Sequence, residues 1–216
     1  MRTAALFVAS CGLALSAPAS ASVVTHNPLL PPDTGEYITA ADVHATFVGQ
    51  GLTIVLTNVH HKPVSDSTTR ETFNGIDEVE FFDALLTFDV SINGGEFMTL
   101  SGLSHVITMV QDKVGNTTGT FDTEMLELDL GVDTPFGPIR IRESPDHVSD
   151  GETSVDAIAN DMYRITSMFG VWPELSLDNG ISWFGSLEGQ VPVVLVPAPG
   201  ALVLLAPMAL GRRRRV

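Results

Sequence analysis

The sequence predicts an all-β protein: a single antiparallel β-sandwich whose jelly-roll or immunoglobulin-like topology is left open. Three observations carry this. Apolar residues recur with period two through the middle of the chain, clusters of Gly, Pro, Asn and Asp punctuate them, and nothing repeats with the βαβ spacing of a parallel sheet.

In chain order, the first strand candidates are residues 43–49 and 53–59. Phe82, Ala84, Leu86, Phe88, Val90 and Ile92 then alternate with Asp83, Thr87, Asp89 and Ser91, which puts one face in a core and the other in water. Residues 105–111 follow. Leu126, Leu128 and Leu130 alternate with Glu127 and Asp129, and Ile139 and Ile141 with Arg140 and Arg142. Residues 162–169 and 190–196 complete the set, and a short helical turn at 155–161 is the one competing period.

The chain has 216 residues, 44% hydrophobic and 17% charged, with 11 Phe and 7 Met, so it can fill a core and is no disordered polyelectrolyte. Three segments emerge: a signal peptide at 1–21, one domain at 22–196 and a sorting segment at 197–216. Arg2, an apolar run too short to span a bilayer, and small residues at Ala19 and Ala21 give the layout of a secretory signal, with cleavage by signal peptidase after Ala21. The rival reading makes residues 8–11 a lipobox with lipidation at Cys11, although only seven residues would precede Val8. With cleavage after Ala21, the exported chain has no thiol and no disulfide, so packing or bound ions must stabilise it.

At the other end stand Val196, Pro197, Ala198 and Pro199, then an apolar run at 201–210 interrupted by Pro207, then Arg212, Arg213, Arg214 and Arg215. Ten helical residues rise only about 15 Å, half a bilayer core, so the run is no permanent anchor. The arginines keep the end on the cytoplasmic side. This layout resembles the PEP-CTERM sorting signal of Gram-negative bacteria, in which a V-P-x-P motif, a short hydrophobic helix and an arginine cluster are recognised by an exosortase; Ala198 stands where the namesake motif has Glu. The resemblance implies transient membrane insertion through the C-terminal helix, cleavage near residues 197–199, and release to the cell surface or an extracellular matrix. A second stretch, Phe121 to Leu126, Gly137 to Pro145, Tyr163 to Ser167 and Glu174 to Asp178, looks like a recurring β-rich domain of exported PEP-CTERM proteins, which implies architecture and no catalytic residue.

All 26 acidic residues lie between Asp33 and Glu188, whereas Arg2 and the four terminal arginines are five of the eleven basic ones, so the middle segment carries a net charge of −20. Such a surface repels nucleic acid and anionic polysaccharide unless cations mediate. Calcium is the candidate ion, with Asp122, Glu124, Glu127, Asp129 and Asp133 as the candidate ligands; the alternative, which the reading favours, is a solvated acidic face.

Ser176, Asp178, Gly180, Ser182 and Trp183 match the Asp-box, S-x-D-x-G-x-[ST]-W, a structural hairpin motif of sialidases and many secreted β proteins. Asp178 can accept hydrogen bonds from the turn's N–H groups and Gly180 can take a positive φ. One full copy excludes a sialidase propeller. Residues 91–97 offer a looser copy, with Asn93 for Asp and Phe97 for Trp, equally read as an ordinary Gly turn.

Catalytic signals are sparse. His60 and His61, with Asp66 and Asp77 downstream, are adjacent on a strand and so point to opposite faces. Ser144 and His147 lack a nucleophile elbow. Glu127 and Asp129 share a strand face, a spacing usable by glycosidase acids or a calcium pair. The expectation is therefore no catalytic residue and no resident cofactor other than calcium. The leading function is a non-enzymatic exported surface or biofilm-matrix protein, with exopolysaccharide as partner. The alternative is a carbohydrate-binding module or weak glycoside enzyme with Trp172 and Trp183 as an exposed platform, a reading that buried Trp rings would disfavour.

Overall fold

Each of the predicted period-two runs becomes a strand, and six more strands join them. The computed structural model describes residues 21–134 and 137–199. Ala19, Arg212, Arg213, Arg214 and Arg215 lie outside the described residues, so the two export signals stay expectations there. The strands are β1 (Val23–Thr25), β2 (Gly35–Ile38), β3 (His44–Gly49), β4 (Leu52–Pro63), β5 (Thr69–Phe73), β6 (Asp77–Ile92), β7 (Met98–Val110), β8 (Gly119–Thr134), β9 (Gly137–Glu143), β10 (Ser149–Ile158), β11 (Met162–Val171), β12 (Pro173–Ser176), β13 (Phe184–Gly185) and β14 (Val191–Pro197). Every pairing is antiparallel, and the described residues contain no helix.

The all-β class and antiparallel pairing hold; the sandwich does not. β2, β4, β6, β7, β8, β10, β11 and β14 pair in that order and β14 returns to β2, closing an eight-stranded barrel. Alternation reports that one face is buried, and says nothing about whether that face meets a second sheet or curls onto itself. The closing contacts join the chain's ends: Val194, Leu195, Val196 and Pro197 of β14 lie opposite Ile38, Tyr37, Glu36 and Gly35 of β2. Ala198 donates its N–H to Thr34 O at 2.9 Å and is buried, so the barrel runs past the expected boundary at residue 196.

β6 and β8 have 16 residues each and outrun the barrel. Their far halves continue with β4 and β7 into a curled extension, in which β3 flanks β4 while β9, β12 and β13 follow β8. Turn chemistry sets the hairpins: Gln50 (φ 52°) and Gly51 (φ 77°) make the two-residue link from Gly49 to Leu52, and Asn74 (φ 51°) and Gly75 (φ 81°) open the three-residue link from Phe73 to Asp77. The helical turn expected at 155–161 is absent: Val155, Asp156, Ala157 and Ile158 pair with β11, and the chain turns at Asn160 and Asp161.

The core is continuous through barrel and extension. Phe47, Ile54, Phe88 and Leu130 are buried in the extension and Phe82, Val106, Val155, Ile165 and Phe169 in the barrel. Unusually for a core, the barrel also buries Tyr37, His61, Glu80, Ser104, Thr108, Thr123, Thr153 and Ser167. Most of these polar groups satisfy one another: Thr153 and Ser167 lie 2.7 Å apart, Tyr37 Oη donates to Ser167 Oγ, and Thr108 Oγ1 donates to Glu80 at 3.1 Å.

Candidate binding cleft at the strand fork

A broad recess lies where the sheet divides. Along one edge of β8, Asp129 pairs with Arg142 of β9 and Met125 pairs with Ser149 of β10, so residues 126–128 pair with neither. On the other edge the register with β7 shifts between Ile107 and Thr108, leaving Leu126 as the extra residue of a bulge. That bulge corrects the expected alternation: Leu128 and Leu130 are buried, but Leu126 is 42% exposed. The resulting cleft encloses about 420 Å³ between Glu127 and Asp129 on one wall, Arg140, Arg142 and Glu143 on the other, and Asn179, Gly180 and Trp183 at its rim.

The rim is held by the turn that the sequence singled out. Asp178 Oδ1 accepts the N–H groups of Ser182 (2.8 Å) and Ile181 (3.1 Å) and the hydroxyl of Ser176, while Oδ2 accepts the hydroxyl of Ser182 at 2.6 Å. These bonds, led by that hydroxyl, pull the Asp178 carboxyl down to about 2. Gly180 takes φ 91°, and its carbonyl receives the Trp183 indole N–H at 3.0 Å, which folds the ring back over the turn. Gln50 of the β3–β4 turn also donates to Asp178, tying the rim to the extension.

Charge is arranged in interlocking pairs. Arg142 donates from both Nε (2.8 Å) and Nη2 (2.7 Å) to Glu174 Oε2, and its guanidinium lies 4.1 Å over the Trp183 ring. Arg140 donates to Asn179 Oδ1 at 2.8 Å and lies 4.0 Å from Asp129. Glu143 accepts the Ser149 hydroxyl at 3.0 Å, yet burial outweighs that bond and lifts its carboxyl to about 7. A carboxyl of that kind both donates and accepts near neutral pH.

Other candidates are dispersed. Of the five acidic ligand candidates, Glu127 and Asp129 reach the cleft, Asp133 lines a smaller neighbouring recess, and Asp122 and Glu124 sit opposite Glu152 and Asp150 on β10. Among the described residues, no three His, Cys, Asp or Glu side chains converge as a metal site. Trp172 and Trp183 do not form one platform: Trp183 is half-buried at the cleft, whereas Trp172 stacks on His147 at 4.5 Å and does not line it. His60 faces outward toward Glu36, and His61 faces into the barrel.

Sequence reasoning paired Ser144 with His147 but missed Glu174, 30 residues away, which completes the cluster. The order of groups is wrong for a nucleophile. Ser144 Oγ donates to Glu174 Oε1 at 2.9 Å, so the His147 Nδ1 contact at 3.2 Å requires the imidazole to be the donor. With its proton committed to a carboxylate, and only 2% exposed, Ser144 is a structural hub. Comparison with protein-family models, curated proteins and solved structures yields no match for this chain.

Proposed function

We propose that this chain is an exported surface or extracellular-matrix protein of a Gram-negative bacterium that binds glycan in the cleft at the strand fork and does not cleave it. The observation that carries the reading is Trp183, an aromatic ring fixed by the Asp178 turn beside a cleft whose walls alternate carboxylates, guanidiniums and an amide. Sugar rings present C–H faces to aromatics and hydroxyls to such bidentate edges. Binding is favoured over hydrolysis because Asp129, one of the two carboxylates on that wall, leans on Arg140.

Export rests on the signal peptide and the PEP-CTERM resemblance, with signal peptidase and exosortase as processing partners and exopolysaccharide as the ligand source. Since Pro197 and Ala198 belong to the barrel's closing strand and its first turn, processing is expected to cut after Ala198. Mass spectrometry of the surface form checks this; a terminus before Pro197, or retention of Arg212 to Arg215, counts against it. Binding is tested on a glycan array with and without calcium. The expected result is a hit that Trp183→Ala weakens about tenfold or more while circular dichroism stays β-type. An array without hits, or a hit indifferent to Trp183, removes the glycan reading.

A further inference from the structure

The molecule contains a second, partly open space apart from the cleft. A cavity of about 80 Å³ lies between barrel and extension, walled almost wholly by apolar side chains that include Leu56, Leu86, Phe88, Met125, Val171 and Val193. His61, with Met125 and Val193, belongs both to its lining and to that of a smaller space of about 20 Å³ on the polar side of the barrel.

Hydrogen bonding fixes the tautomer of that imidazole. Ser104 Oγ donates its one proton to Ala84 O at 3.0 Å, and His61 Nε2 lies 3.3 Å from the same oxygen. The ring must therefore donate from Nε2. Burial keeps it neutral, pushing its pKa down to about 4. In a neutral ring with hydrogen on Nε2, Nδ1 is an acceptor, and no hydrogen bond among the described residues reaches it.

We propose that the cavity is a binding site for a small hydroxyl-bearing molecule of about four heavy atoms, its alkyl part against the apolar wall and its O–H donating to His61 Nδ1. Size sets the class: about 80 Å³ is roughly half the volume that accommodates benzene and under three times a water's share of liquid. Chemistry sets the orientation, because the wall is apolar apart from Thr39, His44 and His61. A four-atom ligand binds no tighter than about 4 × 10⁻⁵ M.

The test uses 1-propanol and ethyl methyl ether as probes, equal in heavy atoms and differing in the donor. Titration of the purified protein, followed by the Met125 methyl resonance and the His61 ring nitrogens, should show 1-propanol binding about five- to tenfold tighter than the ether, the size of one hydrogen bond. Nδ1 should begin as the unprotonated nitrogen and move upfield as the alcohol binds. His61→Phe should equalise the two probes, and the wild-type comparison stands if that variant fails to fold. Equal affinities in the wild type, hydrogen on Nδ1, no binding of either probe at tens of millimolar, or tighter binding of 1-hexanol than of 1-propanol each overturns the proposal.

Discussion

Asp178 concentrates four hydrogen bonds from its own turn and one from Gln50 on a single carboxylate, which makes the cleft's rim depend on one side chain. Its carboxyl is depressed from 3.8 to about 2, so its contribution is complete above the unfolded value and disappears only as pH falls through about 2. Asp178→Ala is expected to lower Tm and to red-shift Trp183 emission, because the released turn no longer holds the indole. Unchanged emission would mean the ring is held by Arg142 alone. Trp183→Ala itself should cost about 1–2 kcal/mol in denaturant unfolding, the share of a half-buried ring with one part-buried cation–π contact, against roughly 3–5 kcal/mol for a core aromatic. This residue-scale detail was legible because the motif is contained in eight consecutive positions. The Ser144–Glu174 bond was not, since no local pattern relates a loop serine to a carboxylate on a strand 30 residues away.

At the scale of elements, β6 announced itself because its inward positions are Phe82, Ala84, Leu86, Phe88 and Val90, whereas β10 was missed because its inward positions are Ser149, Gly151, Thr153 and Val155. Alternation of apolar and polar types is the sequence's signal for a buried face, and a strand whose buried face is small and polar does not emit it. Gly151 shows why small residues are needed there. A Cβ at this position would stand 2.2 Å from Met168 O and 2.8 Å from the Phe169 ring, with Thr123 beside it. Backbone cannot yield as a flexible side chain would, so Gly151→Ala should destabilise the barrel by about 3 kcal/mol. Denaturant unfolding with an unchanged m-value checks this. A loss under about 0.5 kcal/mol would show that β10 and β11 are less closely joined than their register indicates.

For the whole molecule, closure into a barrel has two electrostatic consequences that a period-two pattern does not reveal. The outer surface keeps the acidic excess, with Asp122 opposite Glu152 and Glu124 opposite Asp150, so added salt should raise Tm by screening; calcium, magnesium and sodium chloride at matched ionic strength are expected to act equally, and a calcium-specific increment would restore the ligand reading of β8. The inner surface buries Glu80. Desolvation raises its carboxyl from 4.5 to about 8 against the opposing pull of Arg70, whose Nε is 3.9 Å from it with no hydrogen bond between them, and Glu78 adds like charge. Because the folded value lies above the unfolded one, the folded state retains a proton that the unfolded state has released, and stability falls as pH rises from about 4.5 to about 8. His61 works in the opposite sense, since its value falls from 6.5 to about 4, but its effect is exhausted once pH exceeds 6.5. The interval from pH 6.5 to 8 therefore isolates the raised carboxyls, and Glu143, lifted to about 7, covers only its lower part. At about 1.4 kcal/mol per pH unit for one proton, Glu80 should account for a loss on the order of 2 kcal/mol across that interval. Glu80→Gln keeps an oxygen for Thr108 and removes the titration, so its unfolding free energy should be nearly level from pH 7 to 8 where the wild type declines. A variant that declines as steeply as the wild type would place the uptake of that proton on another group.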